Sequence, residues 1–386
     1  MWKFKMNAFD IWQPLPLLYF GALAAGLVIA AVYFFVPHAR KIGLLDTPTE
    51  RKQHEGQIPL LGGPVISFIF LLGLCIARPG TNYLLILTTA FLVLVGAWDD
   101  LKGLRWTTRL IAQVCVAVIF VQVLQISIND LGFTLWNFES LDFSLAHKLL
   151  AVLAIVLTIN AFNMLDGIDG LCALSALLVI QHTLLSALIL TDIVPENAEL
   201  SSLLLTDILP ERLIFTSLFL SGCLVGFLVF NLQRSSARKI FLGDSGSMFL
   251  GLIISVLLIS VFGGTISSDQ PYTIDGYPIL ALWILAMPVA DISNTAIRRV
   301  IAGRSPFAAD RSHLHHKIMD AGATPLQTLS IITFCSIFVF WIGFYITFSL
   351  GNKSSLIGFS IFLFLVGFLP EIVKNVIQFF QRNQEE

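Results

Sequence analysis

Residues 148–170, KLLAVLAIVLTINAFNMLDGIDG, place a long apolar run directly before a polar cluster. A helix needs about 20 apolar residues to cross a bilayer core of about 30 Å, so the run predicts a membrane-spanning helix. It ends in Asn163, Asp166 and Asp169. Charges at membrane depth cost about 2.5–3.5 kcal/mol on insertion scales, and they therefore tend to be paired or functional. The stretch predicts a helix whose end carries chemistry.

The spacing within this cluster suggests two arrangements. Asp166 and Asp169 are three residues apart, so a continuing helix would present both carboxylates on one face. Two like charges at that distance repel unless a cation lies near them. Gly167 and Gly170 remove side-chain bulk, which would let a ligand approach the backbone or the helix open locally.

The composition extends this prediction to the whole chain. Of 386 residues, 56% are hydrophobic and 12% are charged, against about 25% charged residues in soluble domains. The mean hydropathy is +0.84. One globular core cannot hide that much apolar surface. We therefore expect an all-α polytopic integral membrane protein with a single transmembrane domain over residues 1–386. We expect no nucleic-acid partner.

Apolar runs of suitable length predict about eleven spans, or ten if one of the short or glycine-rich runs does not cross. They cover residues 16–36, 60–77, 82–98, 108–126, 145–162, 170–191, 212–231, 246–264, 277–297, 326–348 and 355–373.

The basic residues predict the orientation of these spans. With eleven spans, 17 of the 23 Lys and Arg residues fall on one side of the membrane. The opposite loops carry acids instead. Lys and Arg are enriched in cytoplasmic loops, so the bias predicts an N-terminus outside and a C-terminus in the cytoplasm. Six basic residues lie on the other side, and two of them, Lys3 and Lys5, argue weakly for the opposite orientation.

With this topology, all four polar clusters fall on the cytoplasmic side. This convergence predicts one shared active site on that face. The clusters contain Asp99 and Asp100 in GAWDD, Asn163, Asp166 and Asp169 in NMLDGIDG, Asp244 in KIFLGDSGS, and Asp310, Arg311, His313, His315 and His316 in GRSPFAADRSHLHHKI.

Three of these clusters also have simpler interpretations. Asp99 and Asp100 could cap a helix at the membrane interface. Asp244 could be a helix N-cap, and the same helix start would suit a phosphate. The HLHH segment could hold zinc, but no Cys accompanies it and a fourth ligand is missing. As a hydrogen-bonding patch for phosphates it needs nothing further.

The combined side chains favour phosphoryl transfer. Carboxylate and amide oxygens in small number suit Mg²⁺, or alternatively Mn²⁺, bound together with substrate phosphates. Phosphoryl transfer uses such a metal with cationic groups for the spreading charge and a carboxylate for the nucleophile. At a membrane surface the natural acceptor is a lipid head group.

Five motifs in this order resemble the polyprenyl-phosphate N-acetylhexosamine-1-phosphate transferase family (glycosyltransferase family 4). They are RKQHEGQIPLLGG (51–63), GAWDDLKGLRW, NAFNMLDGIDGL, KIFLGDSGSMFLG and RSPFAADRSHLHHKIMDAG. The last is similar to the N-acetylglucosamine-1-phosphate branch rather than the muramoyl-pentapeptide branch. Asp99 and Asp100 are followed by Leu-Lys-Gly, so the third acid of a DDxxD pattern is missing. This departure favours Asp244 as the metal ligand.

The resemblance implies a role for each residue. Asp244, Asn163 and Asp166 would hold Mg²⁺, Asp169 would hydrogen-bond uracil, and Phe241 would stack on the base. Asp99 would deprotonate or orient the lipid phosphate with Asp100 in support, and His313 completes the catalytic set. The implied phosphate- and sugar-binding residues are Lys52, Arg109, Arg298, Arg299, Arg304, His315 and His316.

The implied reaction moves a sugar-1-phosphate from a UDP-sugar to undecaprenyl phosphate and releases UMP. N-acetylglucosamine is the expected sugar. N-acetylgalactosamine, N-acetylfucosamine and N-acetylmuramoyl-pentapeptide donors are the alternatives. The expected setting is the bacterial inner membrane, at the start of O-antigen or other surface polysaccharide assembly, with a homodimer common in the family. Direct attack and an aspartyl-phosphate intermediate both stay open.

Three rival classes make different predictions. A secondary transporter would show repeated halves and acids near mid-membrane, and no internal repeat is evident. A CDP-alcohol phosphotransferase would need an Asp-rich helix with an Ala-Arg pair, which is absent. A catalytically inactive scaffold would lack motif acids, and none is missing.

Overall fold

The computed structural model describes residues 15–46, 56–77, 82–128, 144–193, 209–233, 235, 238–263, 277–305 and 313–385. These residues are almost entirely helical, which confirms the all-α prediction. The helices are α1 (Leu15–Ile42), α2 (Gly62–Ala77), α3 (Tyr83–Lys102), α4 (Trp106–Leu124), α5 (Ser144–Leu165), α6 (Leu171–Ile193), α7 (Leu209–Asn231), α8 (Gly243–Phe262), α9 (Pro278–Ile284), α10 (Ala286–Ile301), α11 (Leu314–Asp320), α12 (Pro325–Leu365) and α13 (Leu369–Glu385).

Two further elements complete the described chain. The strands β1 (Leu45–Asp46) and β2 (Ile58–Pro59) form one short antiparallel pair. A single 3₁₀ turn, Val366–Phe368, joins α12 to α13.

The polypeptide forms two compact units that interleave in sequence. The first comprises Met1–Arg105 and Thr191–Gly246, and the second comprises Trp106–Leu190 and Ser247–Glu386. The sequence boundary between them falls in the first turn of α8.

In the first unit, α1 packs along α7, and α2 packs against both of them. Gly222 and Gly226 of α7 lie against the backbones of Gly21 and Ala25 of α1. Small residues spaced four apart let two membrane helices approach closely, so that dispersion contacts hold the pair together. The side chain of Asn82 accepts the backbone N–H of Leu84 at 2.9 Å and so begins α3.

In the second unit, α5 packs against α4 and α10, while α12 packs against α9, α10 and α11. The helical dihedral angles of α12 break at Gly351, where φ is 77°. The Oγ atoms of Thr347 and Ser355 lie 2.6 Å apart on either side of this break. In a straight helix eight residues span about 12 Å. The chain therefore turns back at Gly351 and forms a helical hairpin.

Trp283 of α9 stabilises this hairpin through a buried hydrogen bond. Its indole N–H donates to the Ser355 Oγ at 2.8 Å. The Thr347 hydroxyl also donates to the Gly343 carbonyl at 2.6 Å. These contacts are buried, where an unmade hydrogen bond is costly.

The helices are those of a multi-pass membrane protein. Among the described residues, eight helical segments are long and apolar enough to cross a bilayer, with Pro325–Phe379 counted as one segment despite its turn at Gly351. The number is nine if α9 and α10, bent by 79°, form one span. Large apolar side chains point outward from α12, with Phe334, Phe338 and Tyr345 exposed by 72%, 67% and 68%. Exposed aromatic surface of this kind suits lipid rather than water.

The predicted spans compare directly with these helices. Each predicted span coincides with one or two observed helices. The spans predicted at residues 326–348 and 355–373 lie on either side of the turn at Gly351. At 16 residues, α2 is shorter than the usual crossing length of about 20. Eleven crossings and their orientation stay predictions.

Candidate active site

In the first unit, the predicted acids of GAWDD meet the predicted GDSGS turn. Asp100 lies in the last turn of α3, and α8 begins at Gly243. The Asp100 carboxylate accepts the backbone N–H of Asp244 at 2.8 Å and that of Ser245 at 3.3 Å, and it also accepts the Ser245 hydroxyl at 3.2 Å. The first N–H groups of a helix have no partner within the helix. Asp100 therefore caps α8 from a distant part of the chain.

Asp99 has a different environment from its neighbour. It is 8% exposed, and its Oδ1 accepts the backbone N–H of Leu104 just beyond α3. Its carbonyl oxygen accepts the N–H of Gly103 at 2.8 Å. The two adjacent acids thus hold different segments, Asp99 the exit from α3 and Asp100 the start of α8.

Backbone pairing brings residues 59–63, at the described end of the RKQHEGQIPLLGG motif, to the same place. Gly62 and Gly63 donate their N–H groups to the carbonyls of Phe241 and Leu242, both at 2.9 Å, and Phe241 donates to Pro59 at 2.9 Å. Gly243 follows with φ at +76°, and a Cβ there would lie 2.6 Å from the Asp100 Oδ2. Only glycine combines this dihedral angle with so close an approach.

The side chains of Asp244 and Phe241 lie at this junction. Asp244 is the second residue of α8 and is half-buried. The predicted N-cap role thus belongs to the Asp100 side chain, and Asp244 contributes its backbone N–H. Phe241 is also half-buried. Its ring packs against the apolar cluster of Ala39, Leu44, Leu60 and Leu61, and the Lys239 Nζ lies 5.8 Å from the ring centroid.

In the second unit, the NMLDGIDG stretch forms the end of α5 and a tight turn. Asn163 lies in the last turn of α5 and donates its Nδ2–H to the Ser247 Oγ at 2.9 Å. The helix stops at Leu165, and α6 begins at Leu171. The continuing helix that would align Asp166 with Asp169 does not form, and the local opening suggested by the glycines does.

The aspartates of this turn differ in exposure. Asp166 is exposed and Asp169 is half-buried. The turn leaves the helix because Gly167 donates its N–H to the Leu165 carbonyl at 2.8 Å, and Gly170 adopts φ of 78°.

The His-rich segment, residues 313–316, lies directly against this turn. A Cβ on Gly167 would collide with the His315 ring at Nε2 and Cε1. The ring centroids of His313 and His315 are 6.0 Å apart with nearly parallel planes, and those of His315 and His316 are 4.2 Å apart. The structure therefore brings two of the four predicted clusters together within the second unit.

A buried acid absent from the predicted set orients the His-rich segment. Asp291 in α10 is 3% exposed, and its Oδ2 lies 3.1 Å from the His313 Nδ1. Its Oδ1 accepts the backbone N–H of Leu314 at 2.6 Å. A lone Asp inside the predicted span 277–297 is a sequence signal that could have identified it, since intramembrane acids are rare and usually functional.

A hydrogen-bonded amide pair, formed by the buried Gln113 and the half-buried Asn160, was also absent from the predicted set. Asn160 donates its Nδ2–H to the Gln113 Oε1 at 2.7 Å and to the Val156 carbonyl at 2.8 Å. The Gln113 Nε2 lies 3.4 Å from the Met248 Sδ. Asn160 is one helical turn before Asn163, so α5 carries a line of amides towards its polar end.

The predicted basic residues have varied settings. Arg298 and Arg299 are in the last turn of α10; Arg299 is buried, and the Arg298 Nη2 donates to the Thr295 Oγ1 at 3.3 Å. Arg304 is exposed just beyond α10. Arg109 is half-exposed in the first turn of α4. Lys52, Asp310 and Arg311 lie outside the described residues.

The donor set is compatible with Mg²⁺. Within the residues that the structure describes, no group of three or more His, Cys, Asp or Glu side chains is arranged to hold a metal. Of the predicted ligands, Asp244 in the first unit offers a carboxylate, and Asn163 and Asp166 in the second offer an amide and a carboxylate. Mg²⁺ commonly takes one or two carboxylates and completes its shell with water and substrate phosphates, so this chemistry fits an ion that binds together with a diphosphate.

Comparisons with known proteins agree with this architecture. The family model described as glycosyl transferase family 4 matches residues 82–262. A protein of Salmonella typhi named undecaprenyl-phosphate alpha-N-acetylglucosaminyl 1-phosphate transferase is 30% identical over 351 residues, 89% of this chain and 88% of the relative. The chain belongs to glycosyl transferase family 4. Proteins of the same name from Yersinia pestis and Haemophilus influenzae are each 32% identical, over 79% and 78% of this chain and 77% and 78% of their own lengths.

As a member of glycosyl transferase family 4, the chain is a multi-pass membrane transferase. The family match contains α3 to α8, so it includes the acid pair, the NMLDGIDG turn and the GDSGS turn. The His-rich segment and Asp291 lie beyond it.

Proposed function

We propose that this chain transfers N-acetylglucosamine-1-phosphate from UDP-N-acetylglucosamine to undecaprenyl phosphate in the bacterial inner membrane. Its product would start O-antigen or another cell-surface polysaccharide. The observation that carries the proposal is the 30% identity to an undecaprenyl-phosphate alpha-N-acetylglucosaminyl 1-phosphate transferase over 89% of the chain, because a likeness of that length does not depend on a single motif. The chemistry of those segments, acids and amides with imidazoles and guanidinium groups, suits a diphosphate substrate.

The proposed reaction is an in-line displacement at phosphorus. An oxygen of the lipid phosphate attacks the phosphorus that bears the sugar, the bond from this phosphorus to the oxygen bridging to UMP breaks, and UMP leaves with the electron pair. A sugar-diphospho-lipid remains in the membrane. Little covalent work falls to the protein in such a transfer, so positioning and charge stabilisation dominate.

The acid pair divides the work at the nucleophile. Asp99 is proposed to orient or deprotonate the lipid phosphate. Asp100 is proposed as a positioning residue, since its carboxylate is engaged by donors of Asp244 and Ser245. Loss of Asp99 should therefore lower turnover because the lipid phosphate is no longer oriented or deprotonated. Loss of Asp100 should lower it because the start of α8 is no longer held in place.

The nucleotide sugar is proposed to bind through the remaining predicted residues. Asp169 and Phe241 are proposed for the uracil. Arg298, Arg299, Arg304, Arg109 and Lys52, with the three histidines, are proposed for phosphates and sugar. Mg²⁺, or alternatively Mn²⁺, is the proposed cofactor with Asp244, Asn163 and Asp166 as ligands, and it would neutralise charge on the diphosphate when bound.

The decisive experiment measures lipid-linked product and UMP with the purified chain in nanodiscs. The acceptor is undecaprenyl phosphate, and the donors are UDP-N-acetylglucosamine, UDP-N-acetylgalactosamine, UDP-N-acetylfucosamine and UDP-N-acetylmuramoyl-pentapeptide. We expect product with UDP-N-acetylglucosamine in the presence of Mg²⁺. Product with another donor alone would reassign the sugar, and no product with any donor would overturn the proposed function.

A further inference from the structure

Asp291 links two parts of the second unit that are far apart in sequence. It lies within α10, and its partners His313 and Leu314 are 22 and 23 residues further along the chain. Both oxygens of its carboxylate are used, one for the imidazole at 3.1 Å and one for the backbone N–H at 2.6 Å. With 3% exposure, the Asp291 side chain is nearly removed from solvent. A charge buried this deeply is tolerated when it is well hydrogen-bonded.

The contact constrains the chemistry of the His313 ring. An ionised carboxylate only accepts hydrogen bonds, so with Asp291 ionised the Nδ1 of His313 is the donor at 3.1 Å. The second ring nitrogen, Nε2, is then the one that can accept or donate a proton. A carboxylate paired with imidazole in this way fixes both the ring orientation and the tautomer, as in hydrolytic triads.

The same carboxylate fixes the element that bears the other histidines. His313 is the N-cap of α11, and its own side chain makes no capping hydrogen bond. Asp291 supplies the cap instead by accepting the N–H of Leu314. His315, on the same short helix, lies against Gly167 of the NMLDGIDG turn. A shift of Asp291 would therefore move the imidazoles relative to that turn.

We propose that Asp291 is a positioning residue for phosphoryl transfer. It holds His313 with a protonated Nδ1, which leaves Nε2 to exchange a proton with the phosphates of the substrate. This inference rests on the proposed function. Asp291 does not itself contact substrate. Removal of the Asp291 carboxylate therefore affects turnover through the His313 ring.

The test is Asp291→Asn in the nanodisc assay. The Asn side chain has nearly the same volume, and its oxygen can still accept the Leu314 N–H. Its NH₂ group then faces Nδ1 as a donor, which requires the proton to move to Nε2. We expect kcat to fall by about 10²-fold or more, the usual contribution of a positioned acid or base. The proton exchange proposed for Nε2 belongs to the transition state, so the KM for the UDP-sugar should change by less than about threefold.

A double-mutant cycle separates this role from a general packing effect. If Asp291 acts through His313, Asp291→Asn should lower kcat by less than about threefold in a His313→Ala background. The inference would be overturned if the loss of kcat in the double variant equalled the product of the losses in the two single variants. Asn294→Ala is the matched control, since it removes a hydrogen bond of the same helix to the Leu363 carbonyl, 3.0 Å long. A loss of kcat in Asn294→Ala as large as in Asp291→Asn would show that helix packing, rather than the ring, is responsible.

The wild-type chain separates the two proposals. Wild-type turnover together with full kcat in Asp291→Asn overturns the positioning role and leaves the proposed function standing. Absence of wild-type turnover with every donor overturns the proposed function and this inference with it.

Discussion

The carboxylate of Asp100 accepts the backbone N–H of Asp244 at 2.8 Å, across 144 residues of sequence. This bond ties the end of α3 to the start of α8. It also shows that two motifs read separately in the sequence form one structural element within the first unit.

Replacing Asp100 should therefore destabilise the protein as well as slow it. Asp100→Ala removes the acceptor for three donors of Asp244 and Ser245. Hydrogen bonds to a charged group contribute about 1.5–3 kcal/mol, so we expect a clear fall in the melting temperature in detergent. Glu371→Gln is the control, since the Glu371–Lys374 pair is exposed and 4.0 Å long, and such pairs contribute about 0–1 kcal/mol. Equal melting temperatures for Asp100→Ala and wild type would contradict the capping role.

Replacing Asp244 should lower the activity and leave the stability of the protein nearly unchanged. Asp244→Ala keeps the backbone N–H that Asp100 accepts, so the melting temperature should stay close to wild type. If the side chain is a ligand of Mg²⁺, UMP release should fall by about 10³-fold, the upper range for losing one electrostatic contact to the transition state. A Mg²⁺ titration of UMP release measures this effect. Substantial Mg²⁺-dependent activity in Asp244→Ala would remove the residue from the metal site.

Gly167→Ala tests the contact between the turn and the His-rich segment. The added methyl group would collide with the His315 ring, so the ring or the turn must move. A misplacement of about 1 Å can cost about 10²-fold in rate, and we expect kcat to fall by about that factor. Gly26→Ala is the control, because a Cβ at Gly26 would meet nothing within 4 Å. Wild-type kcat in Gly167→Ala would show that the turn and His315 need no fixed spacing.

Ser355→Ala tests the C-terminal hairpin. It leaves the buried indole N–H of Trp283 without its acceptor, which costs about 1–3 kcal/mol, and a lower melting temperature should follow. Ser360→Ala is the matched control on the same helix, since the exposed Ser360 hydroxyl only donates to the Leu356 carbonyl one turn before it. If both variants melt at the same temperature, Trp283 does not lock the hairpin.

The orientation predicted from charge can be tested with reporters fused after Glu386. Green fluorescent protein at this position should fluoresce, and alkaline phosphatase should be inactive, because the positive-inside bias places the C-terminus in the cytoplasm. The reverse pattern would invert the topology and place the four polar clusters outside.

The sequence by itself determined the membrane class and nearly every helix. Runs of about 20 apolar residues have few alternatives in a bilayer, because a spanning segment must satisfy its backbone hydrogen bonds internally. The polar clusters could be found for the same reason, since a charge beside hydrocarbon is costly and conspicuous. Asp99, Asp166, Asp244 and the three histidines were predicted as site residues without any coordinates, and their roles stay predictions.

Only the tertiary structure decided which of these side chains contact one another. The spacing of Asp166 and Asp169 could not show that α5 stops at Leu165, because the turn depends on backbone hydrogen bonds and on His315 packing against Gly167. The pairing of Asp100 with α8 and of Asp291 with His313 joins residues far apart in the chain. Hydrogen bonds of this kind depend on how helices pack, and helix packing is set by side-chain shapes across whole interfaces, which a linear pattern of apolar and polar residues does not encode.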